Sequence, residues 1–282
     1  MKFFLIIMSF ILNSQTNNIS NNNFYYRGKK IDEKKLFSLI KKSNVIYVGE
    51  THTSKESHQI QLEIIKKTYN IKGSKICVGF EMINRTLQDV LDKYVNLEIS
   101  EDEFLTQINW EKEWGFDFQL YKPLFDFIRE NKLTALAINV PRKIVSKVAR
   151  TGLEGISEDE KKLIARDIKV TNHKKYNDYL KKTFHGHGEN PMNKIMTFEN
   201  YKLAMAVWNE SMAERISDFL KENPNYTVIV IVGNGHIMYN ASIPWSVKER
   251  TKVKNLSIYT ISSQEFKDLR EVKDFADIVW VY

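Results

Sequence analysis

Two stretches of this chain share one form. "VIYVGETH" (45–52) and "VIVIVGNGH" (228–236) are apolar, β-branched runs that stop at a glycine and place a histidine three residues later. A short, continuous apolar run reads as a strand buried on both faces, the pattern of a parallel sheet covered by helices. Four other runs share it: "KICVGFE" (75–81), "LTALAIN" (133–139), "LSIYTI" (256–261) and "DIVWVY" (277–282). With "NVIYVG" (44–49) and "YTVIVIVG" (226–233) they predict six strands. Thr53 and Glu56 have the spacing of a capping box, so a helix is expected directly after "GETH". The spans 84–132 and 143–223 hold no strand pattern and are expected to be helical. The predicted fold is α/β: a mostly parallel central sheet flanked by helices, with an inserted helical lobe at about 153–201.

In such sheets ligands bind beyond the carboxyl ends of the strands. The runs end in residues with chemistry: Gly49, Glu50 and His52; Glu81 in "GFEM"; Asn139 and Arg142 in "INVPR"; Gly233, Asn234 and His236 in "GNGH". One polar ending means little, because loops are polar. Four endings carrying two imidazoles, two carboxylates, two amides and a guanidinium point to a pocket. Two chemistries are open. Glu50, His52, Glu81 and His236 could hold a divalent metal with a free position for water. Alternatively, a histidine acts as general base beside a glutamate. Asn139, Arg142 and Asn234 are expected at the ligand, with Arg142 suited to a carboxylate or phosphate. His58, on the first helix, reads as a core histidine close to the pocket and is kept as a ligand-binding candidate. His185 and His187 in "FHGHGENP" (184–191) form a weaker H-x-H signal, and His173 reads as surface. "WEKEWGFDFQLYKP" (110–123) is expected to fill core, or else to form an aromatic wall for a flat ligand.

The N-terminus sets expectations about location. Met1 and Lys2 precede "FFLIIMSFIL" (3–12), which fits the apolar part of a secretory signal. It is short for a spanning helix, which needs about 20 residues. A signal peptide over 1–16, an asparagine-rich tether over 17–30 and one domain over 31–282 are expected. The sole cysteine, Cys77, sits within an apolar run and excludes an intramolecular disulfide. No cysteine follows the apolar segment to carry a lipid, so the expectation is a soluble exported protein, periplasmic or at the cell surface. Membrane association would then require an uncleaved N-terminal segment. The net charge of +7 comes from scattered lysine doublets with no nucleic-acid-binding motif, so no nucleic acid is expected.

"VGETHTSKESHQIQLEII", "GFEM", "WEKEWGFDFQLYKPLFDFIRENKLTALAINVPRKIVSKVARTGLEGIS", "AMAVWNESMAERI" and "GNGHIMYNASIP" together resemble the ChaN-like family of exported bacterial haem-binding proteins. The resemblance runs from about residue 42 to 243. It implies an α/β core with a helical lobe, haem as cofactor or cargo, a role in haem and iron acquisition, and a possible homodimer. The family is related to the TIKI and TraB-like proteins and to erythromycin esterases, which share G-x-x-H motifs. Through those motifs Glu50, His52, Glu81 and His236 would be the pocket of a hydrolase, the alternative function. Haem needs an apolar slot, an axial ligand and cations for its propionates. The strand-end set is polar, so haem is expected elsewhere, between helices or across a dimer.

Overall fold

A computed structural model describes residues 22–186 and 196–282. The expected signal peptide and His187 lie outside the described residues. All six expected runs are strands: β3 (Val45–Glu50), β4 (Ile76–Asn84), β5 (Thr134–Asn139), β6 (Thr227–Gly233), β7 (Asn255–Ile261) and β8 (Ile278–Val281). Two shorter strands precede them, β1 (Asn23–Tyr26) and β2 (Lys29–Ile31). The eight form one sheet in the order β2-β1-β8-β7-β3-β6-β4-β5. Strands β3 to β8 run parallel, and the β1–β2 hairpin adds an antiparallel edge. The expected α/β architecture is the fold.

The hairpin corrects the expected tether, which was to extend to residue 30. Phe24 buries its ring against Trp280 at 4.6 Å, and Trp280 Nε1 donates to Asn22 Oδ1 at 2.9 Å. Arg27 and Gly28 both take positive φ, 48° and 75°, as a two-residue hairpin turn requires. Apolar burial on the edge of β8 thus orders a stretch whose polar neighbourhood reads as linker.

Helix α1 (Glu33–Lys42) leads into β3, and α2 (Lys55–Lys72) carries the chain to β4. The cap of α2 is Ser54, whose Oγ accepts from Ser57 N, and not the expected Thr53. Four helices link β4 to β5: α3 (Gln88–Val95), α4 (Glu101–Ile108), α5 (Trp110–Glu113) and α6 (Phe118–Glu130). Four more link β5 to β6: α7 (Arg142–Thr151), α8 (Glu158–Lys161), α9 (Lys174–Gly186) and α10 (Phe198–Glu222). Then α11 (Ile243–Thr251) leads to β7 and α12 (Leu269–Val272) to β8. Between α7 and α10 the chain packs Ile156 and Ile164 on Val148 and Val207, then Tyr176 and Leu180 on Met238 and Ala241.

Side chains alternate across the strands, and both faces are covered, which explains the unbroken apolar runs. Ile46, Val48, Phe80 and Ile231 pack with Ile60, Ile64 and Phe125 of α2 and α6. Val45, Tyr47, Val230 and Val232 pack with Met212 and Ile216 of α10 and Val247 of α11. Cys77 is fully buried in this second layer, as its apolar run implies. The Tyr47 hydroxyl, fully buried there, has no hydrogen-bond partner among the described residues. An unpaired buried hydroxyl costs about 1–3 kcal/mol. Tyr47→Phe is therefore expected to leave stability unchanged or raise it by about 1 kcal/mol. Chemical denaturation tests this, and a clear loss would mean that the hydroxyl has a partner.

The connections set the functional crevice. The helix leaving β3, α2, covers one face, while the helix leaving β6, α11, covers the other. β3 and β6 are neighbours, with Glu50 opposite Gly233 in register. This reversal is a topological switch point, where ligands enter open α/β sheets.

Candidate functional site

The two G-x-x-H turns lie side by side, and each glycine makes room for the other turn. A Cβ on Gly49 would sit 2.2 Å from Asn234 Oδ1 and 2.8 Å from Ile237 Cδ1. A Cβ on Gly233 would sit 2.9 Å from His52 Cε1. The glycines are thus needed for close approach rather than for an unusual φ.

Each histidine is paired with a buried glutamate. Glu50 ends β3 and is 2 % exposed. Its Oε1 accepts from Tyr121 Oη at 2.6 Å and pairs with His52 Nδ1 at 2.8 Å. Its Oε2 accepts from Gln61 Nε2 at 2.6 Å. Glu81, on β4, accepts the Gly233 N–H at 2.6 Å on Oε2 and meets His236 Nε2 at 3.1 Å on Oε1. His236 Nδ1 lies 2.6 Å from Asn209 Oδ1, so both nitrogens of that ring are engaged. His52 differs. Its side chain is 32 % exposed, and among the described residues nothing bonds its Nε2.

Burial pushes the Glu81 carboxyl up, but the charges of His236 and His52 and the Gly233 N–H outweigh it and hold it below its ordinary value. Partial burial pushes the His52 imidazole down, and Glu50 and Glu81 outweigh it, leaving the pKa raised. Burial, then the Glu50 carboxylate, pushes the Tyr121 phenol far up, so Tyr121 donates to Glu50. Because the folded pKa of Glu81 lies below its unfolded value of about 4.3, its contribution to stability is fully present above that pH and is lost as pH falls through the folded value. The stability difference between wild type and Glu81→Gln is expected to be widest at neutral pH and to narrow below about pH 4. Urea unfolding at pH 7 and at pH 3 measures it; equal differences at both would refute the ion-pair account.

The expected metal set does not assemble. Among the described residues no group of three or more His, Cys, Asp or Glu could hold a metal ion. The physical reason is the pairing just described, which engages both carboxylates and three of the four ring nitrogens within the protein. His58 is the core histidine close to the pocket that its helix position suggested. It is 3 % exposed, with Nδ1 on Gln61 Oε1 at 3.0 Å and Nε2 on the His52 carbonyl at 3.1 Å, so it holds the turn from behind. Asn139 donates to the Glu81 carbonyl at 2.6 Å and accepts from Trp208 Nε1, while Asn234 bridges to Thr260 O at 2.9 Å. Both line the crevice with their polar groups already used. Arg142, the first residue of α7, lines it with a guanidinium that has no partner among the described residues. His185 lies exposed near the end of α9.

These groups form the floor of a cleft of about 490 Å³. Its walls are apolar, with Trp114, Phe116, Tyr179, Tyr201 and Trp208 facing in beside Met205. The aromatic segment at 110–123 divides: Trp110, Phe118 and Tyr121 are buried, while Trp114 and Phe116 edge the His52 ring at 4.8 and 4.9 Å. The polar strand ends therefore open into an apolar slot, which strand-end residues alone could not reveal. Sequence reasoning missed Gln61, Tyr121 and Asn209. Asn209 left one signal, a polar residue inside the otherwise buried stretch of α10.

The family model described as "Haem-binding uptake, Tiki superfamily, ChaN" matches residues 36–247. The chain belongs to this ChaN family. A solved structure of Campylobacter jejuni ChaN, which binds haem cofacially, superimposes with a TM-score of 0.70 at 20 % identity. The match covers 93 % of this chain and 96 % of that one, and it shows that the fold is shared. An erythromycin esterase mutant in its open conformation reaches a TM-score of only 0.49 at 11 % identity, covering 81 % of this chain and 72 % of that one, too distant to argue from. The Arabidopsis thaliana chloroplastic protein RETICULATA-RELATED 5 is 20 % identical over 264 residues, 88 % of this chain and 35 % of that protein. The chain thus spans about a third of that relative's length. Family membership agrees with a cleft whose walls suit a flat, largely apolar ligand.

Proposed function

We propose that this protein is an exported haem-binding protein of iron acquisition, and that haem occupies the strand-end cleft with His52 Nε2 facing its iron. One observation carries the placement: His52 is the histidine with an open nitrogen in the aromatic cleft, and its other nitrogen is held by a buried carboxylate. Histidines that ligate metals usually donate their second N–H to such a partner, which fixes the ring and raises its basicity. The tyrosines in the cleft are weaker candidates. Burial pushes Tyr179 up to about 12 and also raises Tyr201, so neither readily supplies a phenolate. Arg142 is placed to meet a propionate.

The volume lies within the roughly 300–1,000 Å³ of small-molecule sites. The N-terminal "KFFLIIMSFIL" supports export. Titration with haemin, followed on the Soret band, tests the reading. A saturable shift near one haem per chain is expected, and an unsaturable response would overturn it. Arg142→Ala is expected to weaken haemin binding by about tenfold, as loss of one charge-assisted hydrogen bond of about 1.5 kcal/mol would. Full affinity in that variant would remove Arg142 from the propionate site. Cell fractionation tests export, and sedimentation of the free and haem-loaded protein tests the expected homodimer.

A further inference from the structure

We propose that a second cleft, at the opposite end of the sheet, binds a phosphate-bearing, hydroxylated anion. This cleft of about 640 Å³ lies where α1 and α11 end, beside the β1–β2 turn and the start of β7. It is far from the His52 turn, because in a parallel sheet the starts and ends of the strands lie at opposite ends of the sheet.

Charge is the first observation. Among the described residues, Arg27, Lys42, Lys248, Lys252 and Lys254 line the cleft, against the single carboxylate of Asp277. That carboxylate is already engaged: Oδ2 accepts from Ser257 N at 3.2 Å, and Oδ1 lies 3.9 Å from Arg27 Nη2. Lys252 has a partner in Glu249 at 3.4 Å, while Lys42, Lys248 and Lys254 form no ion pair among the described residues. A lysine in the last turn of a helix is accounted for by the helix dipole, which covers Lys42 and Lys248. Arg27 and Lys254 belong to no helix, so the surplus of positive charge exceeds what the two helix ends call for.

A buried polar atom is the second observation, independent of the first. Asn255 Nδ2 donates to the Pro244 carbonyl at 2.6 Å, which sets the orientation of its amide. Its Oδ1 is then left buried with no hydrogen-bond partner among the described residues. Buried acceptors are normally paired; this one lies on a residue lining the cleft but has almost no accessible surface, so a ligand donor reaches it only when the cleft widens around Asn255. A hydroxyl supplies that donor while a phosphate meets the lysines. The floor is apolar, with Leu39, Val253, Leu256 and a half-buried Trp245, so a carbon skeleton is accommodated between the two.

A free phosphorylated polyol and a lipid headgroup share this chemistry, and two arms separate them. In the first, the full chain is titrated calorimetrically with glycerol 1-phosphate. In the second, it is sedimented with vesicles of phosphatidylglycerol or of phosphatidylcholine. Both use wild type, the double variant Lys42→Glu/Lys254→Glu and, as a milder second variant, Lys248→Ala. Saturable glycerol phosphate binding is expected, at least tenfold weaker in the double variant and about threefold weaker in Lys248→Ala, and falling with added salt. Binding confined to phosphatidylglycerol vesicles, and lost in the double variant, would assign the headgroup as the source. The apolar N-terminal segment would bind both vesicle types alike and is unchanged in the variants. No saturable binding in either arm, or equal binding by wild type and both variants, overturns the proposal. The Soret titration of the same variants is expected to match wild type, since none of these residues lines the haem cleft.

Discussion

His52→Ala is expected to lower haemin affinity by about 100-fold or more and to erase the ligand-dependent shape of the Soret band. Removing a partner behind a metal-ligating histidine typically costs 10–100-fold, and removing the ligand itself should exceed that. The change should leave the fold intact. The His52 side chain is a third exposed, and its ring neighbours Trp114 and Phe116 also pack against the main hydrophobic core. Thermal unfolding should therefore shift little while the Soret response collapses. His236→Ala is the instructive contrast, because both nitrogens of that ring already serve Glu81 and Asn209. It should lose stability more than it loses haem. A His52→Ala protein that still gave the wild-type spectrum would move haem out of this cleft.

The second large effect is on the fold. Glu50→Ala strips an acceptor from Tyr121, Gln61 and His52 at once, in a place where water cannot take over. Removing one partner from a buried charged network costs about 3–5 kcal/mol. Against a total stability of about 5–15 kcal/mol, this should lower the melting temperature by on the order of 10 °C. Glu50→Gln should cost less, since it retains one acceptor for the Tyr121 hydroxyl, although its amide N–H groups would face Gln61. Equilibrium denaturation of the three proteins checks the ranking. A Glu50→Ala protein as stable as wild type would mean that the network contributes little and that Glu50 is held there for its charge. Its haemin affinity should also fall, because the His52 ring loses the group that orients it.

These expectations depend on geometry that only part of the sequence announces. The six strands were legible because burial on both faces leaves no polar position in a run such as "VIVIV", and the parallel sheet follows from that. The glycines and histidines at the ends of β3 and β6 were legible because the two turns keep the same residue types in the same order. The β1–β2 hairpin was not. Its Phe24 has apolar meaning only once Trp280, at the far end of the chain, lies beneath it. The metal cage was a reasonable expectation from two histidines and two glutamates, and it failed for a similar reason.

Local sequence carried the strand pattern, the turn chemistry and the aromatic segment, since each depends on residues within a few positions of one another. The folded arrangement alone assigned Glu50 to Tyr121, 71 residues away, and the Gly233 N–H to Glu81, 152 residues away. Those long-range bonds fix the two carboxylates against which the histidine rings are set. A hydrogen bond has strict reach and direction, and no spacing along the chain records which groups the sheet will bring within 3 Å of each other.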